Sequence, residues 1–193
     1  MSDRPRIAAI VTEYFDGSHA DVIVTKYLKG FPTDDGIQVP RVDLVSMYID
    51  QPTERDIGHA MAREYDVPVF PSILTALTLG GEELAVDGVL LIGEHGEYAW
   101  NEKEQQLFPR KYFLEQICGV MATSGRSVPV FSDKHLSYNW RDSKWMYDRA
   151  QQLGVPFMAG SSIPLGWRDP WLEHELDAPI EDCLLYTSPS PRD

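Results

Sequence analysis

Residues able to move a proton, polarise an oxygen or hold a cation are grouped in this sequence, and each group follows directly on a short apolar, β-branched run. Glu13, Asp16, Ser18 and His19 follow Arg6 to Thr12; Asp50 follows Val42 to Ile49; Glu94, His95 and Glu97 follow Val86 to Ile92. Ser132, Asp133, Lys134 and His135 lie at or just past Val128 to Phe131, and Ser161 and Ser162 follow Val155 to Ala159. Carboxylates and imidazoles serve as general acids and bases, and a lysine between an acid and a histidine has both a charge partner and a titratable neighbour. Asp16, His19, Glu94, His95, Asp133 and His135 also have the donor types of a zinc or manganese site. Their spacing matches no metal motif, so no metal ligand is assigned. The common zinc-hydrolase, serine-hydrolase and P-loop signatures do not occur.

Each group has a plainer use. His19 suits the first turn of a helix capped by Ser18, with Asp21 close behind. Glu94, His95 and Glu97 suit a solvated acidic loop, and Asp133 a structural cap. Lys134, after a buried strand, is the hardest to dismiss.

Rigid elements must bring these groups together. The apolar runs, with Val67 to Phe70 added, read as buried strands. Helical spacing covers Ser18 to Leu28, Thr53 to Tyr65, Ser72 to Leu79, Arg110 to Ser124 and Asn139 to Leu153, with Gly125 and Gly154 as stops. The alternation predicts an α/β fold: a Rossmann-like, doubly wound, mostly parallel sheet with helices on both faces. Ligands of such sheets bind outside the carboxyl ends of the strands, where the reactive residues fall. One connection, Gly93 to Pro109, is too long to be idle.

The chain has 193 residues, with 30 acidic and 17 basic side chains and a formal charge of −13. That field repels phosphate backbones and anionic lipid, so no nucleic-acid partner is expected. No apolar run is long enough to span a membrane and the start lacks signal-peptide form, so no membrane partner and a cytoplasmic location are expected. The first 164 residues are expected to form one domain, and 165–182 a linker or the start of a truncated second domain through which copies could associate. Cys183 to Asp193 is read as the translation of a sequencing adaptor, which leaves Cys118 as a reduced core thiol.

Four stretches resemble the N-terminal domain of the Gfo/Idh/MocA oxidoreductases: IAAIVT, VDLVSMYIDQPTERDIGHAMAREYDVPVFPSI, VDGVLLIG and VPVFSDKHLSYNWRDSKWMYDRAQQLGVPFMAG. The likeness runs over residues 6 to 168. It implies a dinucleotide-binding domain and hydride transfer on a sugar, polyol or related small hydroxy compound. It implies NAD in preference to NADP, because Asp50 stands where a carboxylate meets ribose hydroxyls. It places Lys134 at the lysine of the family's E-K-P motif, to polarise a substrate oxygen, with His95 or His135 exchanging the proton. Thr12, Gly17, Ser18, His19, Asp50, Glu94 and Asp133 are the implied cofactor contacts.

The sequence departs from the family at three places. The glycine-rich turn after the first strand is Thr12-Glu13-Tyr14-Phe15-Asp16-Gly17-Ser18-His19, bulky and acidic. The turn after the fourth strand is long, and Asp133 and His135 replace the Glu and Pro of the motif. An alternative is therefore a non-redox Rossmann-fold protein, ligand-binding or regulatory, that has lost the dinucleotide. A third reading is metal-assisted hydrolysis or isomerisation.

Overall fold

The computed structural model describes residues 3–33, 35–134 and 136–160, all within the first of two compact units, Met1–Ser161. His135, Ser161, Ser162 and the expected segments 165–182 and 183–193 lie outside the described residues.

In chain order the elements are β1 (Arg6–Val11), α1 (His19–Lys29), β2 (Phe31–Thr33), β3 (Gly36–Gln38), β4 (Asp43–Ile49), α2 (Gly58–Glu64), α3 (Ile73–Thr78), β5 (Gly88–Ile92), α4 (Arg110–Ser124), β6 (Val130–Asp133), α5 (Trp140–Gln152) and β7 (Phe157–Gly160). Five strands form one sheet in the order β4-β1-β5-β6-β7, with every pairing parallel.

Side-chain alternation along β1 creates the two layers. Ala8 and Ile10 enter a core with Ile73 and Leu77 of α3, Phe113, Leu114 and Ile117 of α4, and Met146 and Ala150 of α5. Ile7, Ala9 and Val11 enter the opposite core with Ala20 and Val24 of α1 and Ala62 of α2. All five residues of β5 are buried, which is why its sequence is continuously apolar. Cys118 lies in the first core, where burial pushes its thiol up from the ordinary value. The doubly wound fold is therefore as the sequence predicted.

Three local expectations change. Val67 to Phe70 is not a strand but one parallel bridge, Met47 to Val69, with the Met47 amide donating to Pro68 and the Phe70 amide to Met47. Pro68 has no amide proton to extend the ladder, and Pro71 follows. Counting this edge, the spatial order becomes 3-2-1-4-5-6, with the switch point between β1 and β5.

The helix expected from Thr53 starts only at Gly58, because the Asp56 carboxylate accepts from the Gly58 and His59 amides and holds the preceding turn open. Gly58 is needed there: a Cβ would stand 2.6 Å from Ile49 Cδ1 and 2.8 Å from Tyr14 Cδ1. The β2–β3 hairpin was not expected. Its strands are exposed throughout and carry no alternation, and the Asp35-Gly36 pair was its only turn signal. No helix among the described residues is long and apolar enough to cross a membrane.

Candidate functional site

The switch point puts the ends of β1 and β5 side by side, and Thr12 joins them: its amide donates to the Ile92 carbonyl and its Oγ1 to the Glu94 carbonyl at 2.5 Å. Ser18 caps α1 by accepting from the Asp21 amide at 3.1 Å, which fixes His19 as the first helical residue. Asp133 is the last residue of the neighbouring β6. His19 Nδ1 lies 2.5 Å from Asp133 Oδ2. Burial would raise the Asp133 carboxyl, but hydrogen bonds from His19 and the Lys134 backbone, and the charges of both residues, hold it below the usual carboxylate range.

Glu94 follows β5 and pairs with Arg110, the first residue of α4. A cation opening a helix is disfavoured by the helix dipole. Arg110 is nonetheless buried, because Glu94 neutralises it and Gly93 leaves room for its stem: a Cβ on Gly93 would stand 2.6 Å from Arg110 Cγ. His95 has a left-handed backbone, φ 69°. Its ring packs edge-on against His19 and Phe15, with centroids 5.2 and 5.1 Å apart. Burial, then the neighbouring His19, pushes the His95 imidazole below its ordinary value against the pull of Glu94 and Glu13. Its Nε2 is buried without a hydrogen-bond partner.

The long connection is pinned across the carboxyl edge. Asp50, at the end of β4, accepts from the hydroxyls of Tyr48 at 2.5 Å and Tyr98 at 2.6 Å, one on each oxygen. Burial and that carboxylate raise both phenols above their ordinary value. Gln51 donates to the Glu97 carbonyl and accepts from the Glu97 amide, and Gln106 donates to the Gly96 carbonyl. Between this loop and the segment after β6 lies a cavity of about 320 Å3, lined by Glu94, Gln105, Gln106, Phe108, Arg110, Ser137 and Tyr138.

Of the residues singled out in the sequence, Thr12, His19, Glu94, His95 and Asp133 come together here. Lys134 follows Asp133 and is half-buried. Asp50 stands on the same edge but is engaged by two tyrosines. Gly17 and Ser18 shape the turn, and Gly17 has φ 77°. Arg55, Arg110, Tyr98 and Gln106 were missed. For Arg110 a signal existed, since a basic residue at the start of a predicted helix needs an acid nearby.

No family model and no curated protein matches the sequence. Solved structures do match the fold. GenD2 from gentamicin A biosynthesis, solved in complex with NAD, aligns at a TM-score of 0.50 and 20% identity, over 83% of this chain and 35% of its own. A Gfo/Idh/MocA family oxidoreductase from Vibrio cholerae aligns at 0.50 and 18%, over 80% and 37%. A putative NADPH-dependent oxidoreductase from Desulfitobacterium hafniense aligns at 0.50 and 19%, over 83% and 35%. This chain spans about a third of the length of these structures. The likeness establishes a Rossmann-type fold of the kind found in Gfo/Idh/MocA oxidoreductases, the family whose N-terminal domain the sequence resembles.

The residues present do not fit a dinucleotide in the pose that fold ordinarily provides. A diphosphate there needs small residues and free amides in the β1–α1 turn. Here Tyr14 is fully buried, its hydroxyl 2.7 Å from Thr25 Oγ1; burial pushes the phenol up to about 12. Glu13, 2% exposed, accepts from Thr53 and from two nitrogens of Arg55, whose guanidinium lies 3.7 Å over the Phe15 ring. The Gly17 amide donates to Asp21. Each oxygen of Asp50 already accepts a tyrosine hydroxyl, so a ribose diol would share that carboxylate with Tyr48 and Tyr98.

Proposed function

We propose that this chain forms the Rossmann-type part of an enzyme that acts on a polyhydroxylated small molecule at the carboxyl edge of the sheet, with His19 and Asp133 as its proton-transfer pair. The carrying observation is the 2.5 Å contact between His19 Nδ1 and Asp133 Oδ2, beside a polar cavity that begins at Glu94. Asp133 fixes the His19 ring and leaves Nε2 as the nitrogen able to take or give a proton. Two glutamines, a glutamate, an arginine, a serine and a tyrosine offer donors and acceptors in both senses, which suits hydroxyl groups. Phe108 supplies an apolar face. Lys134 and His95 are further groups at this edge for holding or polarising an oxygen.

Nicotinamide-dependent hydride transfer on a sugar or polyol, implied by the resemblance, is the second reading. The fold and the Asp133-Lys134 pair at the end of β6 favour it; the filled β1–α1 turn opposes it.

Calorimetric titration of the protein with NADH, NADPH, inositol, glucose and gluconate separates the two. The first reading expects a polyhydroxy ligand to bind, Glu94→Ala to weaken it, and neither nucleotide to saturate. Saturable NADH or NADPH binding moves the assignment to hydride transfer. Failure of every polyhydroxy ligand refutes the first reading.

A further inference from the structure

Three donor side chains at this edge come from different parts of the chain: His19 at the start of α1, Glu94 after β5 and Asp133 at the end of β6. One ligand atom from each lies within 4.8 Å of the others. Donors sharing a zinc ion, at bonds of about 2.0–2.2 Å, stand roughly 3–4 Å apart, so side-chain adjustment alone closes the gap. For both to ligate, the cation takes the place of the proton shared between His19 Nδ1 and Asp133 Oδ2, which is released to water as that 2.5 Å contact widens. Glu94 meets Arg110 through Oε2, and its Oε1 is the oxygen left over.

An independent observation is His95. Its Nε2 is shielded from solvent and has no partner, and its ring sits 5.2 Å from that of His19 on a left-handed backbone. A buried ring nitrogen without a partner is costly unless something binds it.

We propose that His19, Glu94 and Asp133 hold a divalent first-row cation, zinc being the best match to their imidazole and carboxylate donors, with His95 as the adjacent fourth side chain. The cation would polarise a hydroxyl or carbonyl oxygen of a ligand entering from the cavity that begins at Glu94. The inference rests on the reading of this edge as the reacting site; with the cation bound His19 and Asp133 are its ligands, and they are the proton-transfer pair only in the cation-free protein.

The protein, stripped with chelator, is titrated with Zn2+ by calorimetry and with Co2+ by visible absorption and paramagnetic NMR. One equivalent is expected to bind, with the imidazole signals of His19 and His95 shifted by Co2+ and that of His59 unmoved. His59 pairs with Asp56 at the start of α2 and serves as the control. His19→Ala, Glu94→Gln and Asp133→Asn are each expected to weaken Zn2+ at least about tenfold, and His59→Ala to leave it unchanged. No stoichiometric uptake, or uptake that survives all three substitutions, overturns the proposal. The Co2+ shifts are read on the unaltered protein, so a variant that fails to fold does not remove the test. If a polyhydroxy ligand binds while Zn2+ does not, the cation alone is wrong; if Zn2+ binds while no such ligand does, the substrate reading alone is wrong.

Discussion

Arg55→Ala tests whether the β1–α1 turn is closed by an internal ion pair. Glu13 is 2% exposed and takes three hydrogen bonds, from Thr53 at 2.7 Å and from Arg55 at 3.1 and 3.0 Å. The substitution leaves a buried carboxylate with Thr53 as its one remaining side-chain donor. A hydrogen bond to a charged group is worth about 1.5–3 kcal/mol. Arg55 itself is 61% exposed, so water replaces part of its contribution and screens the rest, leaving roughly 1–2 kcal/mol. In a chain of this size that lowers Tm by about 2–8 °C. Glu13→Gln costs less, since the amide oxygen still accepts from Thr53 and Arg55 and the arginine it leaves can be hydrated. Urea unfolding followed by tryptophan fluorescence, on the two single variants and the double, gives the coupling energy. A coupling of about 1 kcal/mol is expected. Additivity within about 0.3 kcal/mol would refute the reasoning and make Arg55 an ordinary surface cation.

Gly58→Ala should destabilise the protein by about 1–2 kcal/mol despite the higher helix propensity of alanine, because its Cβ would overlap Ile49 and Tyr14; a rise in Tm contradicts the packing. Asp133 has a carboxyl held below its unfolded value, so its contribution to stability is fully present above about pH 4 and is lost as pH falls through the folded value. Asp133→Asn should therefore flatten the acid limb of Tm against pH, and an unchanged limb refutes the pairing with His19. Tyr98→Phe removes one of two hydroxyls from Asp50 and should cost about 1 kcal/mol, with faster amide exchange confined to 93–109; unchanged exchange there would show that the loop is anchored elsewhere.

The doubly wound sheet was legible because buried parallel strands leave an unbroken apolar record and the helices between them carry their own caps. Ser18, Asn139 and Gly125 stand at the ends they mark. What the sequence hides is use. Tyr14 reads as bulk in an exposed turn, yet it is a core residue, and stripping it to glycine would cost about 3–5 kcal/mol before any ligand could profit. His19 and Asp133 are 114 positions apart, and only the parallel order β1-β5-β6 brings them to 2.5 Å. Arg55 falls inside the helix expected over Thr53 to Tyr65, where nothing in the sequence marks it as the partner of Glu13. The short helix that forms instead frees it to reach back to Glu13.

Asp50 shows why position at a strand end does not by itself assign a role. It occupies the place after β4 where the resemblance puts a ribose-binding acid, and the fold delivers it there. Its two oxygens are nevertheless satisfied by Tyr48 from its own strand and Tyr98 from the long loop, and Gln51 beside it ties the same loop through both the amide and the carbonyl of Glu97. Gly96 permits that approach, with φ 111° and a Cβ position only 2.6 Å from the Tyr98 ring and 3.0 Å from Gln51. These bonds draw 96–98 over the end of β4, while Gln106, bonded to the Gly96 carbonyl, and Arg110, paired with Glu94, line the cavity below. A nucleotide meeting Asp50 would share the carboxylate with Tyr98, which anchors the loop that forms the cavity wall. In this chain the acid at the end of β4 thus anchors the loop that lines the polar pocket.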